Sequence, residues 1–304
     1  MEKVLVIVGP TGVGKTALSV NLAQQLQGEI ISGDSMQVYK EMSIGTAKVK
    51  PEETKGIPHY MIDTYSLMED YNVKIFQEKA RSYIHDMSER NILPIICGGT
   101  GLYIKSTLYD YEFVEQDTNQ DFMEFLHTLG RDQLWSILQI VDPKACENLH
   151  PNNRQRLCRA IYMAHMGEKK SEIVEAQTHR PIYDAYIIGL TMERKQLYER
   201  INQRVDMMIE EGLLEEIKNI VKNHPDCWEY QSFKGIGYKE WKAYFDGTAT
   251  KEECIELIKK NSRNFAKRQY TWFKNQMEVH WYDITETGYP DTVIQDIKQW
   301  MNRS

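Results

Sequence analysis

The chain has 304 residues, 41% hydrophobic and 11% aromatic, enough apolar material for one large or two moderate domains and too much for a disordered chain. No stretch approaches the roughly eighteen continuous apolar residues of a membrane span, and Met1-Glu2-Lys3 leads straight into a strand pattern rather than a secretory signal, so a cytoplasmic location is expected. A formal net charge of −7 argues against a polyanion partner for the surface as a whole, so any such partner has to be met by a local cluster of Lys and Arg. Five cysteines, Cys97, Cys146, Cys158, Cys227 and Cys254, are scattered and odd in number, and read as reduced thiols rather than disulfides or zinc ligands.

Residues 4–8 form an uninterrupted apolar run, the mark of a buried strand, and residues 16–27 a helix with Leu18, Leu22 and Leu26 along one face. Between them Gly9-Pro10-Thr11-Gly12-Val13-Gly14-Lys15-Thr16 fits G-x-x-x-x-G-K-[ST] without mismatch. Glycines let the backbone turn its N–H groups toward phosphate oxygens, Lys15 supplies a point charge, and Thr16 can offer its hydroxyl to a Mg²⁺ ion bridging two phosphate groups. The loop therefore binds a di- or triphosphate.

Residues 29–32 read as a second strand leading into Gly33-Asp34-Ser35-Met36-Gln37-Val38-Tyr39. Ligands of open parallel sheets bind beyond the carboxyl ends of the strands, so Asp34 reaches the phosphate loop if the two strands are neighbours. The commoner use of such an Asp is an N-cap or Asx turn. Lys48 and His59 follow around a loop and a short strand expected within residues 56–63; they stand either near a ligand or as a solvated Lys and a packed His in a lid-like loop. Asn72 caps a helix through Arg90 whose apolar stripe, from Val73 to Met87, is core. Residues 93–97 are a buried strand ending in Gly98-Gly99-Thr100, where a nucleotide hydrolase would carry an acidic magnesium-holding residue. Thr100 can instead donate to a phosphate.

From Glu112 an acidic and aromatic run extends to Asp132, and residues 112–184 read as a helical insertion. It carries Arg154, Gln155, Arg156 and Arg159 on a helix, either a solvated face or a phosphate-facing one. A return strand at residues 186–190 splits the core, so that 1–111 and 185–304 form one α/β P-loop domain with a parallel sheet flanked by helices. Arg194 opens the next helix, placed to clamp a pyrophosphate. Lys234, Gly237 and Tyr238 lie in a glycine-bearing turn, and the last long helix, residues 251–274, carries Lys259, Lys260, Arg263, Lys267, Arg268 and Lys274 with interleaved aromatics and no acidic residue from 259 onward. Six charges of one sign in an acidic protein suggest RNA. Residues 279–282 and 292–301 read as a final strand and helix.

The phosphate loop, the run from Asp34 to Tyr39, Ile44-Gly45-Thr46-Ala47-Lys48, Gly98-Gly99-Thr100-Gly101-Leu102-Tyr103 and Lys267-Arg268-Gln269-Tyr270-Thr271-Trp272-Phe273 together resemble, nearly end to end, the bacterial tRNA dimethylallyltransferases. The resemblance implies a loop holding dimethylallyl diphosphate rather than ATP, and prenyl transfer to N6 of adenosine 37, immediately 3′ of the anticodon, in tRNAs reading codons that begin with U. It implies Asp34 as general base, with Lys15, Thr100, Arg194 and Mg²⁺ on Thr16 stabilising the leaving diphosphate. The expected tRNA-binding residues are Asp34, Ser35, Met36, Gln37, Thr100, Arg154, Gln155, Arg156, Arg159, Lys234, Gly237, Tyr238, Lys267, Arg268 and Gln269. The expected partners are dimethylallyl diphosphate and the tRNA anticodon stem-loop, with no membrane and the chain acting as a monomer. A small-molecule kinase or a free-adenylate prenyltransferase would share the loop and Asp34 but have no use for the basic helix; a non-catalytic RNA-binding protein would need no base.

Overall fold

A computed structural model describes residues 1–113, 119–176 and 178–303. Residues 114–118 of the acidic and aromatic run lie outside the described residues. The chain divides into two compact units, Met1–Tyr109 with Pro181–Ser304, and Asp110–Arg180.

In the larger unit, six parallel strands form one sheet: β1 (Lys3–Val8), β2 (Gly28–Ser32), β3 (His59–Tyr60), β4 (Leu93–Cys97), β5 (Asp184–Thr191) and β6 (His280–Asp283), in the order β3-β2-β4-β1-β5-β6. β1 sits between β4 and β5, with Leu5 opposite Ile95 and Tyr186. Its apolar run has no polar alternation because both faces are covered. Val4, Val6 and Val8 enter one hydrophobic layer with α2 (Val73–Glu89), α3 (Gly101–Leu108) and α10 (Leu213–Asn223). Leu5 and Ile7 enter the other, with α1 (Lys15–Leu26) and α13 (Tyr289–Met301). Two helices contribute to both layers: α9 (Arg194–Glu210) through Val205 and Ile201, and α12 (Lys251–Gln276) through Phe273 and Ala266. The short α11 (Lys242–Phe245) precedes α12.

Parallel neighbours require crossover connections, and α1 and α2 supply them on the way to β2 and β4. β2 does not adjoin β1, because β4 lies between them, so the neighbouring-strand condition set for Asp34 is not met. Of the strand expected within residues 56–63 only His59–Tyr60 pairs, against β2.

The smaller unit is helical: α4 (Gln120–Thr128), α5 (Arg131–Val141), α6 (Ala145–Asn148), α7 (Arg154–His165) and α8 (Lys170–Ala176). Leu126, Leu134, Leu138, Leu157, Ile161 and Tyr162 form its core. Asp142, buried, ends α5 and accepts from Ala145 N and from Ser171 Oγ, replacing backbone pairing that a helix terminus loses. Among the described residues no helix is long and apolar enough to cross a membrane.

Candidate active site

The site forms at the carboxyl edge of the sheet, where β1, β2 and β4 end. Gly9, Gly12 and Gly14 all take positive φ, 141°, 82° and 97°, so the loop closes tightly without a Cβ penalty. Gly14 caps α1 without any side-chain hydrogen bond. The N–H groups of the first turn, which no helix satisfies internally, are therefore available to an anion, with the positive end of the helix dipole behind them. Lys15 folds back and donates to Gly9 O at 3.0 Å and Pro10 O at 2.9 Å. Burial pushes its ammonium down to about 8, with the nearby Arg204 guanidinium pushing the same way against Cys97 and Asp34.

Asp34 reaches this place across β4 rather than from a neighbouring strand. Gly98 makes that possible: a Cβ there would lie 2.3 Å from Gly33 C, so a glycine at 98 is what lets the loops after β2 and β4 touch. Asp34 Oδ1 accepts from Met36 N at 2.8 Å and more weakly from Gln37 N at 3.4 Å, which is the Asx turn, while Oδ2 has no hydrogen-bond partner among the described residues. The carboxylate is thus held by one oxygen and has the other to spend. Gln37 carries the arrangement outward: Ser32 Oγ donates to its Oε1 at 3.0 Å, and its Nε2 donates to the carbonyls of Thr46 and Ala47.

These groups line one cavity of about 910 Å³, which includes Thr11, Lys15, Thr16, Asp34, Gln37, Thr46, Lys48, Gly99, Arg200, Arg204 and Gln269. Arg200 and Arg204 are among the lining cations that sequence reasoning missed. They stand one turn apart on α9, a spacing that puts both on one side of the helix. Arg204 Nη1 donates to Thr11 Oγ1 at 3.1 Å, and burial lowers the affinity of its guanidinium for the proton. Arg194, the expected clamp, does not line this cavity; its Nε donates to Tyr198 Oη at 3.0 Å and its guanidinium lies over the same ring. Thr100 is also outside the lining, its hydroxyl 3.5 Å from Ser35 Oγ.

Lys48 is neither solvated nor free for a ligand. Its Nζ donates to Tyr39 O at 2.8 Å and pairs with Asp63, pinning the loop that walls the cavity. His59 packs with Nδ1 2.8 Å from Ile57 O, away from the lining, and burial lowers its pKa.

Two of the expected RNA contacts, Tyr238 and Gly237, are corrected by burial, and a third, Gln269, is turned into the cavity. Tyr238 is fully buried, with its hydroxyl donating to Glu216 Oε1 at 2.6 Å, and Gly237 is buried with its N–H bound to Glu240 Oε2. Gln269 faces inward, accepting from Thr11 N at 2.9 Å and donating to Gly99 O at 3.0 Å. Met36 packs against the turn after residue 234, where a Cβ on Gly235 would fall 2.5 Å from its Cε. Lys234 remains exposed.

The six-charge run of α12 separates in the same way. Lys259 is paired with Asp206 and Glu256, and Arg263 donates to Asn202. Lys260, Lys267 and Lys274 are exposed at intervals of two helical turns and so share a stripe, beside exposed Arg268. In the smaller unit Gln155, Arg156 and Arg159 are exposed on α7, while Arg154 donates to His127 O. Among the described residues no group of three or more His, Cys, Asp or Glu could hold a metal by itself.

A family model described as IPP transferase matches residues 37–276. A tRNA dimethylallyltransferase of Anoxybacillus flavithermus is 49% identical over 97% of this chain and 93% of its own length, and one of Bacillus cereus is 50% identical over 98% and 95%. Among solved structures, a tRNA delta(2)-isopentenylpyrophosphate transferase of Staphylococcus epidermidis is 41% identical with a TM-score of 0.74 over 98% of this chain and 99% of its own. A eukaryotic dimethylallyltransferase acting on tRNA is 31% identical with a TM-score of 0.84 over 98% of this chain and 78% of its own.

Proposed function

The chain belongs to the IPP transferase family and is an enzyme of tRNA prenylation, and we propose that it moves the dimethylallyl group of dimethylallyl diphosphate to N6 of adenosine 37, immediately 3′ of the anticodon, in tRNAs reading codons that begin with U. The observation that carries this reading is that a phosphate loop with an uncapped helix start, two arginines and one half-engaged carboxylate line a single cavity. The exocyclic amine attacks C1 of the dimethylallyl group; the new C–N bond forms as the C1–O bond to diphosphate breaks. Asp34 Oδ2 takes the N6 proton, since a neutral aromatic amine is a poor nucleophile unless a base removes its proton as the bond forms. Negative charge grows on the departing diphosphate, where the loop N–H groups, Lys15, Arg200 and Arg204 stabilise it. The acceptor base leaves its stack to enter the cavity.

A divalent cation, Mg²⁺, fits as an ion carried by the diphosphate rather than by a protein cage. Thr16, which lines the cavity, would hold it together with substrate oxygens and water, the usual environment of this hard cation. When bound it would neutralise part of the leaving group's charge. The exposed charges of α12 and those of α7 are each proposed as contacts to tRNA phosphates.

The test is to incubate the enzyme with Mg²⁺, dimethylallyl diphosphate and unmodified tRNA, and to analyse the digested nucleosides by mass spectrometry. One prenylated adenosine next to the anticodon is expected. Tight ATP binding with hydrolysis in the absence of tRNA, and no prenylated nucleoside, would favour a kinase instead.

A further inference from the structure

We infer that Gln269 is a positioning residue for the diphosphate site, stapling the phosphate loop to the glycine turn after β4; the inference rests on the reading of the cavity as that site. Gln269 is 7% exposed and comes from α12, whose neighbouring Lys267 and Arg268 point to solvent. Its amide spends both ends on backbone: Oε1 accepts from Thr11 N at 2.9 Å, and Nε2 donates to Gly99 O at 3.0 Å. Thr11 is held a second time through its hydroxyl by Arg204. The tip of the loop is therefore fixed by two side chains from two helices, and the N–H of Thr11 is committed, leaving those from Gly12 onward for phosphate oxygens.

The space for the staple exists only because residue 99 is glycine. A Cβ on Gly99 would lie 2.0 Å from Gln269 Nε2, closer than any contact tolerates, so the amide would have to leave. Without Gln269 the same Cβ would next meet Gly9 O at 3.7 Å, an ordinary contact. Gly99 has no positive φ, so alanine carries no backbone strain there. Loss of the staple removes two hydrogen bonds and strands two backbone groups. It loosens a loop whose value lies in preorganised N–H groups.

The probe is inorganic diphosphate with Mg²⁺, titrated calorimetrically into the wild type, Gln269→Ala, Gln269→Glu, Gly99→Ala and the Gln269→Ala/Gly99→Ala double variant, with tRNA affinity and the unfolding midpoint measured alongside. Gln269→Ala should weaken diphosphate binding about ten-fold while tRNA affinity holds. Gly99→Ala should weaken it as much on its own and not at all further in the Gln269→Ala background. Gln269→Glu can still accept from Thr11 N but cannot donate to Gly99 O, and its charge repels the anion, so it should bind worse than Gln269→Ala. If Gln269→Ala does not fold, Gly99→Ala and Gln269→Glu carry the test. Wild-type diphosphate affinity in Gln269→Ala, in Gly99→Ala or in Gln269→Glu would overturn the inference, as would an equal effect of Gly99→Ala in both backgrounds. Absence of diphosphate binding by the wild type would overturn the site reading itself, and this inference with it.

Discussion

Lys15 offers a prediction with a sign and a size. Burial holds its ammonium at about 8 in the free enzyme, against 10.5 for an ordinary lysine. A bound diphosphate places negative charge beside it and raises that value, so binding takes up a proton at high pH. Affinity is full below about 8 and falls as pH rises through it. With a free-enzyme pKa of about 8, the protonated fraction drops from roughly nine-tenths at pH 7 to roughly one-tenth at pH 9, which is about a ten-fold loss of affinity. Lys15→Ala should bind weakly at every pH with no such step. Lys15→Arg keeps its charge throughout, so its profile should also be flat over that range. Calorimetric titration of inorganic diphosphate with Mg²⁺ from pH 6.5 to 9.5 measures this, and the titration of diphosphate itself divides out because it is common to all three proteins. A wild-type profile parallel to that of Lys15→Ala across pH 7–9.5 would refute the argument. The same depressed pKa acts on folding with the opposite pH trend: below about 8 the buried charge is a cost, and between 8 and 10.5 the unfolded chain binds more protons than the folded one, so this residue's contribution to stability improves as pH rises.

Asp34→Asn keeps an Oδ1 acceptor for Met36 N but has no basic oxygen, so single-turnover prenyl transfer should fall by about 10²–10⁴ with tRNA affinity unchanged; wild-type turnover would remove Asp34 from the base role. For the surface charges, Lys267→Ala and Arg156→Ala should each shallow the log–log salt dependence of tRNA binding by about one unit, and unchanged slopes in both would make those charges a solvated face. Gly45→Ala would place a Cβ 2.5 Å from the buried Tyr238 ring; overpacking of that kind costs about 1–3 kcal/mol, to be read as a lower denaturation midpoint at constant slope.

What the sequence discloses about this molecule is what local chemistry determines. The phosphate loop declares itself because three backbone conformations need glycine and one position needs a lysine. The strand and helix pattern follows because apolar runs and stripes differ in period. Strand order is another matter: nothing in residues 1–34 says that β4 comes to lie between β1 and β2, since that depends on residues 93–97, far along the chain. The sequence therefore leaves the route of Asp34 to the loop conditional on a neighbouring strand, and the fold brings it there across β4 instead. Nothing in its local sequence marks Arg204 out from other charges on the helix, and only the packing of α9 against the loop gives it Thr11 as a partner. Gln269 is the reverse case. It directly follows the exposed Lys267 and Arg268 in the motif the resemblance assigns to tRNA, yet it is buried and spends its amide on Thr11 N and Gly99 O.

Tyr238, Gly237 and Gly45 show why residues that look like contacts can act at one remove. Glu216, in the first turn of α10, accepts from the N–H groups of Ser43, Ile44 and Gly45 and from the Tyr238 hydroxyl. One half-buried carboxylate thereby gathers the start of the loop whose later residues, Thr46, Ala47 and Lys48, wall the cavity. Gly45 must lack a side chain to lie flat on the tyrosine ring, and Gly237, at φ 98°, brings the turn to within 3.2 Å of Gly45 O at the position of its missing Cβ. Gln37 then ties the loop to the turn that orients Asp34, through the carbonyls of Thr46 and Ala47. A chain of side-chain-to-backbone hydrogen bonds therefore runs from Glu216 on α10, through the loop of residues 43–47, to Gln37 and the turn that holds Asp34.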